Sequence, residues 1–203
     1  MAFRLKKMNV AIRAGLLLAL GTWSLTAAPA PAGAEAAPSL HAVVTQLGPT
    51  LFRAIATDNL PLARSLFYPE SAYVALKTGE IPSPVSDYAD RLLAFFTLDL
   101  RAYHQLLLGH GPVRFLRTEV NPQLATWIPS GVCENRSGYW HEPPVRLVYR
   151  QGGVVKSFAI DSMITWQHQW YVIHLGPNPR PNNVGTVDQP ENGAGIPGPA
   201  GGC

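Results

Sequence analysis

The sequence predicts an α+β fold: about three N-terminal helices packed on a curved antiparallel sheet, then an extended Pro/Gly-rich C-terminal tail. Three observations predict it. Residues 39–109 place apolar side chains at three- and four-residue spacing, without strand alternation. From Val113 alternation takes over, punctuated by Gly152-Gly153 and Gln167-His168-Gln169, links of hairpin length. From Gly176 the last 28 residues hold six Pro, seven Gly and four Asn, a composition unable to build a core.

The chain starts with a basic stretch, Arg4, Lys6, Lys7 and Arg13, and an apolar run from Ala14 to about Ala28. Small residues follow in Ala-x-Ala-like order. This is the layout of a secretory signal peptide, residues 1–34, with cleavage after Ala34 and competing sites after Ala28 and Ala30. The alternative is a membrane anchor, but the run has roughly 15 apolar residues where about 20 are needed. No second run of membrane length follows, so no stable membrane span is expected after cleavage. Removing those four charges from the chain's 16 basic residues leaves 12 against 13 acidic ones, a net −1. The formal +3 of the whole chain therefore belongs to the leader. A nearly neutral domain lacks the clustered basic surface that nucleic acid requires. The expected location is exported, secreted or in the cell envelope.

The folded domain is expected over 39–175. Ser39 caps a helix running to about Thr57, with Gly48-Pro49 as a kink. Asp58-Asn59 before Pro61 is a second start signal, and Pro69 a stop. Lys77 to Pro84 reads as turn. Ser86 or Asp87 caps a third helix through Leu108, with Tyr88, Leu92, Phe95, Phe96, Leu100, Tyr103 and Leu107 on its buried face. Strands are expected at Val113–Val120, Leu124–Ile128, Gly138–His141, Val145–Arg150, Val154–Trp166 and Trp170–Leu175.

A turn at Gly152-Gly153 sets Leu147 opposite Phe158 and Val145 opposite Ile160. Centring the next turn on His168 pairs Trp166 with Trp170, Ile164 with Val172, and Ser162 with His174. Alternation then collects Val145, Leu147, Tyr149, Phe158, Ile160, Ile164, Trp166, Trp170 and Val172 on the helix-facing side, with Lys156, Ser162 and His174. The outer side carries Val148, Val155, Ala159, Met163, Tyr171 and Ile173, a patch that needs a cover. Either a second copy (a homodimer through the outer sheet face) or the 176–203 tail supplies it.

Helices followed by long strands, ending in Trp170-Tyr171-Val172-Ile173-His174-Leu175, resemble the nuclear transport factor 2-like (cystatin-like, cone-shaped α+β) superfamily over residues 39–176. The resemblance implies a cone-shaped pocket and permits both noncatalytic modules and isomerases or hydrolases. The region Trp127 to Trp140 also resembles uncharacterised exported bacterial proteins.

The polar couple Ser162–His174 on an apolar face is the sharpest candidate for chemistry, with His174 as general base. Asp161 is expected on the opposite face, away from a triad. Trp166, Trp170, His174, Tyr139 and His141 are the candidate ligand-binding residues. Cys133 and the terminal Cys203 most simply pair as one disulfide in an exported protein, with a bridge to another chain as the alternative. The six His show no metal-ligand spacing, and no cofactor fingerprint is present. The leading expectation is a noncatalytic exported domain binding an apolar small molecule or an envelope partner. The rivals are a hydrolase or isomerase using His174 with Ser162, Tyr139 or His141, and a structural accessory module self-associating through its sheet.

Overall fold

The computed structural model describes residues 36–198; the expected signal peptide and Cys203 lie outside the described residues. Ser39 Oγ accepts from His41 N at 3.1 Å and starts the first helical stretch. A π-turn, Val43–Leu47, runs directly into α1, Gly48–Ala56. Pro49 explains the widened turn. It has no N–H to donate and its ring crowds the preceding turn, so Gly48 N reaches five residues back to Val43 O. Gly48 is required for a second reason: a Cβ there would stand 2.0 Å from Thr118 Oγ1 on the first strand.

Asn59 is the expected cap. Its Oδ1 accepts from Leu62 N at 3.0 Å and opens α2, Leu60–Arg64. Pro69 does stop the chain, but it also starts α3, Glu70–Leu76, where no helix is expected. Its buried residues Ala72, Tyr73 and Leu76 make only one apolar turn, too short for periodicity to register. A further helical run follows as α4, Pro84–Asp87, a π-turn at Tyr88–Leu93, and α5, Ala94–Leu107. Tyr88, Leu92, Phe96, Leu100, Tyr103 and Leu107 are buried as expected, and Asp99 is buried among them.

Eight strands follow: β1 Val113–Glu119, β2 Thr126–Ile128, β3 Tyr139–Glu142, β4 Val145–Gln151, β5 Val154–Ile160, β6 Ser162–Trp166, β7 Gln169–His174 and β8 Asp188–Asn192. They form two four-stranded antiparallel sheets, ordered β1-β4-β5-β8 and β2-β3-β6-β7. The expected single strand Val154–Trp166 is thus two, separated by Asp161 alone. The same break occurs on the neighbouring strand. Only Pro143 and Pro144 separate β3 from β4, while Glu142 pairs with Met163 and Val145 with Ile160. Two prolines offer no N–H to a ladder, so pairing stops at that level on both strands. Asp161 N bonds instead to Leu175 O at 3.3 Å.

The Gly152-Gly153 turn holds the expected register, Leu147 with Phe158 and Val145 with Ile160. The next turn does not. Gln167 and His168 both take positive φ, 48° and 61°, and make a two-residue turn rather than one centred on His168. Trp166 therefore pairs with Gln169, Thr165 with Trp170, Ile164 with Tyr171 and Met163 with Val172. A bulge between Ser162 and Met163 then returns Ser162 to its expected place opposite His174.

The segment after Leu175 is a second correction, because it is built into the fold. Asp99 accepts from Gly176 N, Thr186 N and both terminal nitrogens of Arg180. Tyr103 Oη lies 2.7 Å from Ala159 O and from Leu175 O, and accepts from Asp188 N at 2.8 Å. β8 then pairs with β5. Beyond it Gly195, with φ +67°, passes so close to Arg146 that a Cβ would meet the guanidinium at 2.3 Å. Arg146, on the outer face, is 0% exposed under that cover and bonds to Ser157 Oγ and Gln189 O. Among the described residues no helix is long and apolar enough to cross a membrane.

Candidate functional site

A cavity of about 510 Å³ lies between the second sheet and the helices. Its floor is strand: Tyr139 and His141 of β3, Ser162 and Ile164 of β6, His174 of β7. Its wall is helical, with Tyr73 and Leu76 of α3 and Arg91 and Leu92 of the π-turn. The loop Gly131, Cys133–Asn135 closes one side. Four of the sequence-predicted residues, His174, Ser162, Tyr139 and His141, therefore meet in one cavity.

The tryptophans do not join them. Trp170 lines a separate hollow against Val43, Leu47 and Leu66, and its Nε1 donates to Pro38 O at 3.1 Å. Trp166 lines a third hollow with Trp127 and Trp140. For Trp170 the register shift at Gln167-His168 is the reason, since it sets Trp170 opposite Thr165 instead of Trp166. Trp166 keeps the side of Ile164 and packs on Tyr68.

His174 Nε2 lies 3.2 Å from Asn178 Nδ2. An amide N–H can only donate, so Nε2 accepts and the neutral ring carries its proton on Nδ1. Burial, then the positive charges of Arg91, Arg180, His141 and Lys77, push His174 down to about 3. At neutral pH it is an uncharged imidazole and a weak base. Burial also lowers His141.

Asp161 corrects the sequence expectation most. Because it sits in the break between β5 and β6, alternation does not govern it, and it lines the same cavity as Ser162 and His174. Burial, reinforced by Asp188, pushes its carboxyl up to about 7 against the opposing pull of Asn178 N, the Ser162 hydroxyl and Arg180. A carboxyl that titrates near neutrality in a cavity is suited to move protons.

On the helical wall, Arg91 donates from Nε to Asp87 Oδ1 at 2.7 Å and from Nη2 to Asp87 Oδ2 at 2.6 Å and Tyr73 Oη at 3.0 Å. Tyr73 also hydrogen-bonds Asp87. The pair with Arg91 holds the Asp87 carboxyl below its ordinary range. Lys77 Nζ donates to Cys133 O at 3.0 Å and stands 3.9 Å from Glu134. Asn135 is 1% exposed; its Nδ2 donates to Tyr139 Oη at 3.1 Å, while its Oδ1 has no partner. Sequence reasoning missed Arg91, Asn135 and Asp161. Their only signal was proximity in chain to the elements that form the cavity.

Among the described residues no group of three or more His, Cys, Asp or Glu is arranged to hold a metal. Comparison with protein-family profiles, characterised proteins and solved structures gives no match.

Proposed function

We propose that this chain is an exported domain that binds a small organic molecule in the cavity between the second sheet and the helices. One observation carries the reading: His174, Ser162, Tyr139 and His141 open together onto a space of about 510 Å³, within the size range of small-molecule sites. The lining mixes Leu76, Leu92, Ile128, Ile164 and Ile173 with these polar groups. The ligand is therefore amphipathic rather than wholly apolar. The order of helices before strands supports the resemblance to cone-shaped α+β domains.

The neutral fluorescent probe N-phenylnaphthylamine tests the reading. Saturable enhancement is expected for the wild-type protein and its loss for His141→Trp, which fills the cavity. Trp166→Ala, outside the cavity, keeps the enhancement. No enhancement in the wild type sinks the reading. Native mass spectrometry of the protein from its exported fraction would show the leader cleavage and any carried ligand.

A second reading, a hydrolase or isomerase, is favoured by Asp161 rather than by His174. Turnover of simple aryl esters that Asp161→Asn abolishes while probe binding persists would establish it. Self-association through the outer face has less to cover than the sequence suggests, since the residues around Gly195 already lie over Arg146. Light scattering at several concentrations tests it.

A further inference from the structure

Resting on the small-molecule reading, we propose that the cavity takes an elongated ligand with a carboxylate at one end and a hydrogen-bond donor at the other. Register sets the length. His141 pairs with Ile164, so Tyr139 lies level with position 166. Ser162 and His174 lie level with each other, four residues earlier along β6. At a rise of ~3.3 Å per strand residue the backbone levels of the two ends are about 13 Å apart. Ile164 lies between them on the floor, with Leu92 on the wall.

The first end attracts an anion. His174 presents Nδ1–H, because Nε2 is engaged by Asn178. Arg91 uses Nε and Nη2 on Asp87 and Tyr73, and Nη1 makes no hydrogen bond among the described residues. Arg91 and Arg180, the cations that act most strongly on His174 after burial itself, create the potential an anion would enter. Asp161 stands at this end and keeps its proton to near neutrality, so it adds a donor there in weak acid. Glu80 and Glu134 are exposed at the mouth, and Glu134 faces Lys77.

At the second end an acceptor stands unpaired. Asn135 Oδ1 is buried without a partner beside Tyr139. An unpaired buried acceptor costs free energy that a ligand hydroxyl or amine would recover.

Displacement of N-phenylnaphthylamine at pH 6 by octanol, octanoate and ω-hydroxyoctanoate separates the terms. Octanoate is expected to displace the probe at about tenfold lower concentration than octanol, the effect of a charge-assisted bond. The ω-hydroxyl is expected to add about fivefold, the effect of one neutral hydrogen bond. Asn135→Leu removes the second increment and keeps the first, which also certifies that the variant is folded. Equal displacement by octanol and octanoate overturns the carboxylate end. No gain from the ω-hydroxyl overturns the donor end. If the probe binds and only octanol-like apolarity matters, this proposal fails while the small-molecule reading stands. If the probe does not bind, both fail.

Discussion

Asp99 and Arg180 form a doubly hydrogen-bonded ion pair, 2.9 and 2.7 Å, with side chains only 1% and 5% exposed. It joins the middle of α5 to the segment after β7. The same carboxylate accepts from Gly176 N and Thr186 N, so one buried acid organises a turn of chain that composition describes as tail.

Asp99→Ala is therefore expected to be severe. It leaves Arg180 buried without its counter-charge and orphans two backbone donors, for a loss of about 3–5 kcal/mol. Urea unfolding measures this, and hydrogen exchange is expected to show early opening of 176–192. A loss under about 1 kcal/mol would mean the pair behaves as a surface bridge.

Glu142 gives a pH-dependent stability with a definite sign. It is 1% exposed, its Oε2 has no partner, and burial pushes it up to about 7 from an ordinary 4.5. A carboxyl raised in the folded state contributes stability below its unfolded pKa and loses it as pH rises through the folded one. Glu142→Gln is therefore expected to stabilise the protein at pH 8 by about 3 kcal/mol relative to its effect at pH 4. Paired urea titrations at the two pH values check it; an equal effect at both refutes it.

What was legible in the sequence was local chemistry. The Asn59 cap, the Gly152-Gly153 turn and the α5 face each depend on a few neighbouring residues, and each formed as the pattern indicates. The candidate site was half legible for a related reason. Ser162 and His174 face each other only because a bulge compensates for a turn one residue shorter than the one centred on His168. Trp170 lies beyond the bulge and had no such correction, whereas Trp166 keeps the side of Ile164 but packs on Tyr68. Asp161 was hidden by the alternation rule itself, since nothing in its own neighbourhood shows that Pro143 and Pro144 will interrupt the ladder beside it. The tail was hidden because its partners, Asp99 and Tyr103, lie more than 70 residues upstream.

The proposed Cys133–Cys203 bridge has its own test. Cys133 lines the cavity rim, and no cysteine is free among the described residues. Thiol titration of the unreduced native protein is expected to find no reactive group. Replacing both cysteines by serine is expected to cost roughly 4 kcal/mol, the loop-entropy effect of a closed segment of this length. A covalent dimer on a non-reducing gel would indicate the intermolecular alternative instead.

Ligand binding is expected to depend on pH through Asp161. The groups facing it are Ser162 beside it, Asn178 N and Arg180 on the segment after β7, and Asp188 of β8. Burial, then the charges of Arg91, Arg180, His141 and Lys77 in decreasing order, keep His174 neutral down to about 3, so it contributes no titration between pH 5 and 8. Below about 7 Asp161 is protonated and donates to a carboxylate; above it two like charges meet. One coupled proton limits the loss of octanoate affinity to about tenfold per pH unit above that point. Asp161→Asn, which keeps a donor and cannot ionise, is expected to bind octanoate with a flat profile from pH 6 to pH 8. Octanol binding is expected to be flat in both proteins. A wild-type octanoate profile as flat as that of octanol would remove Asp161 from the carboxylate end, whatever the affinity itself.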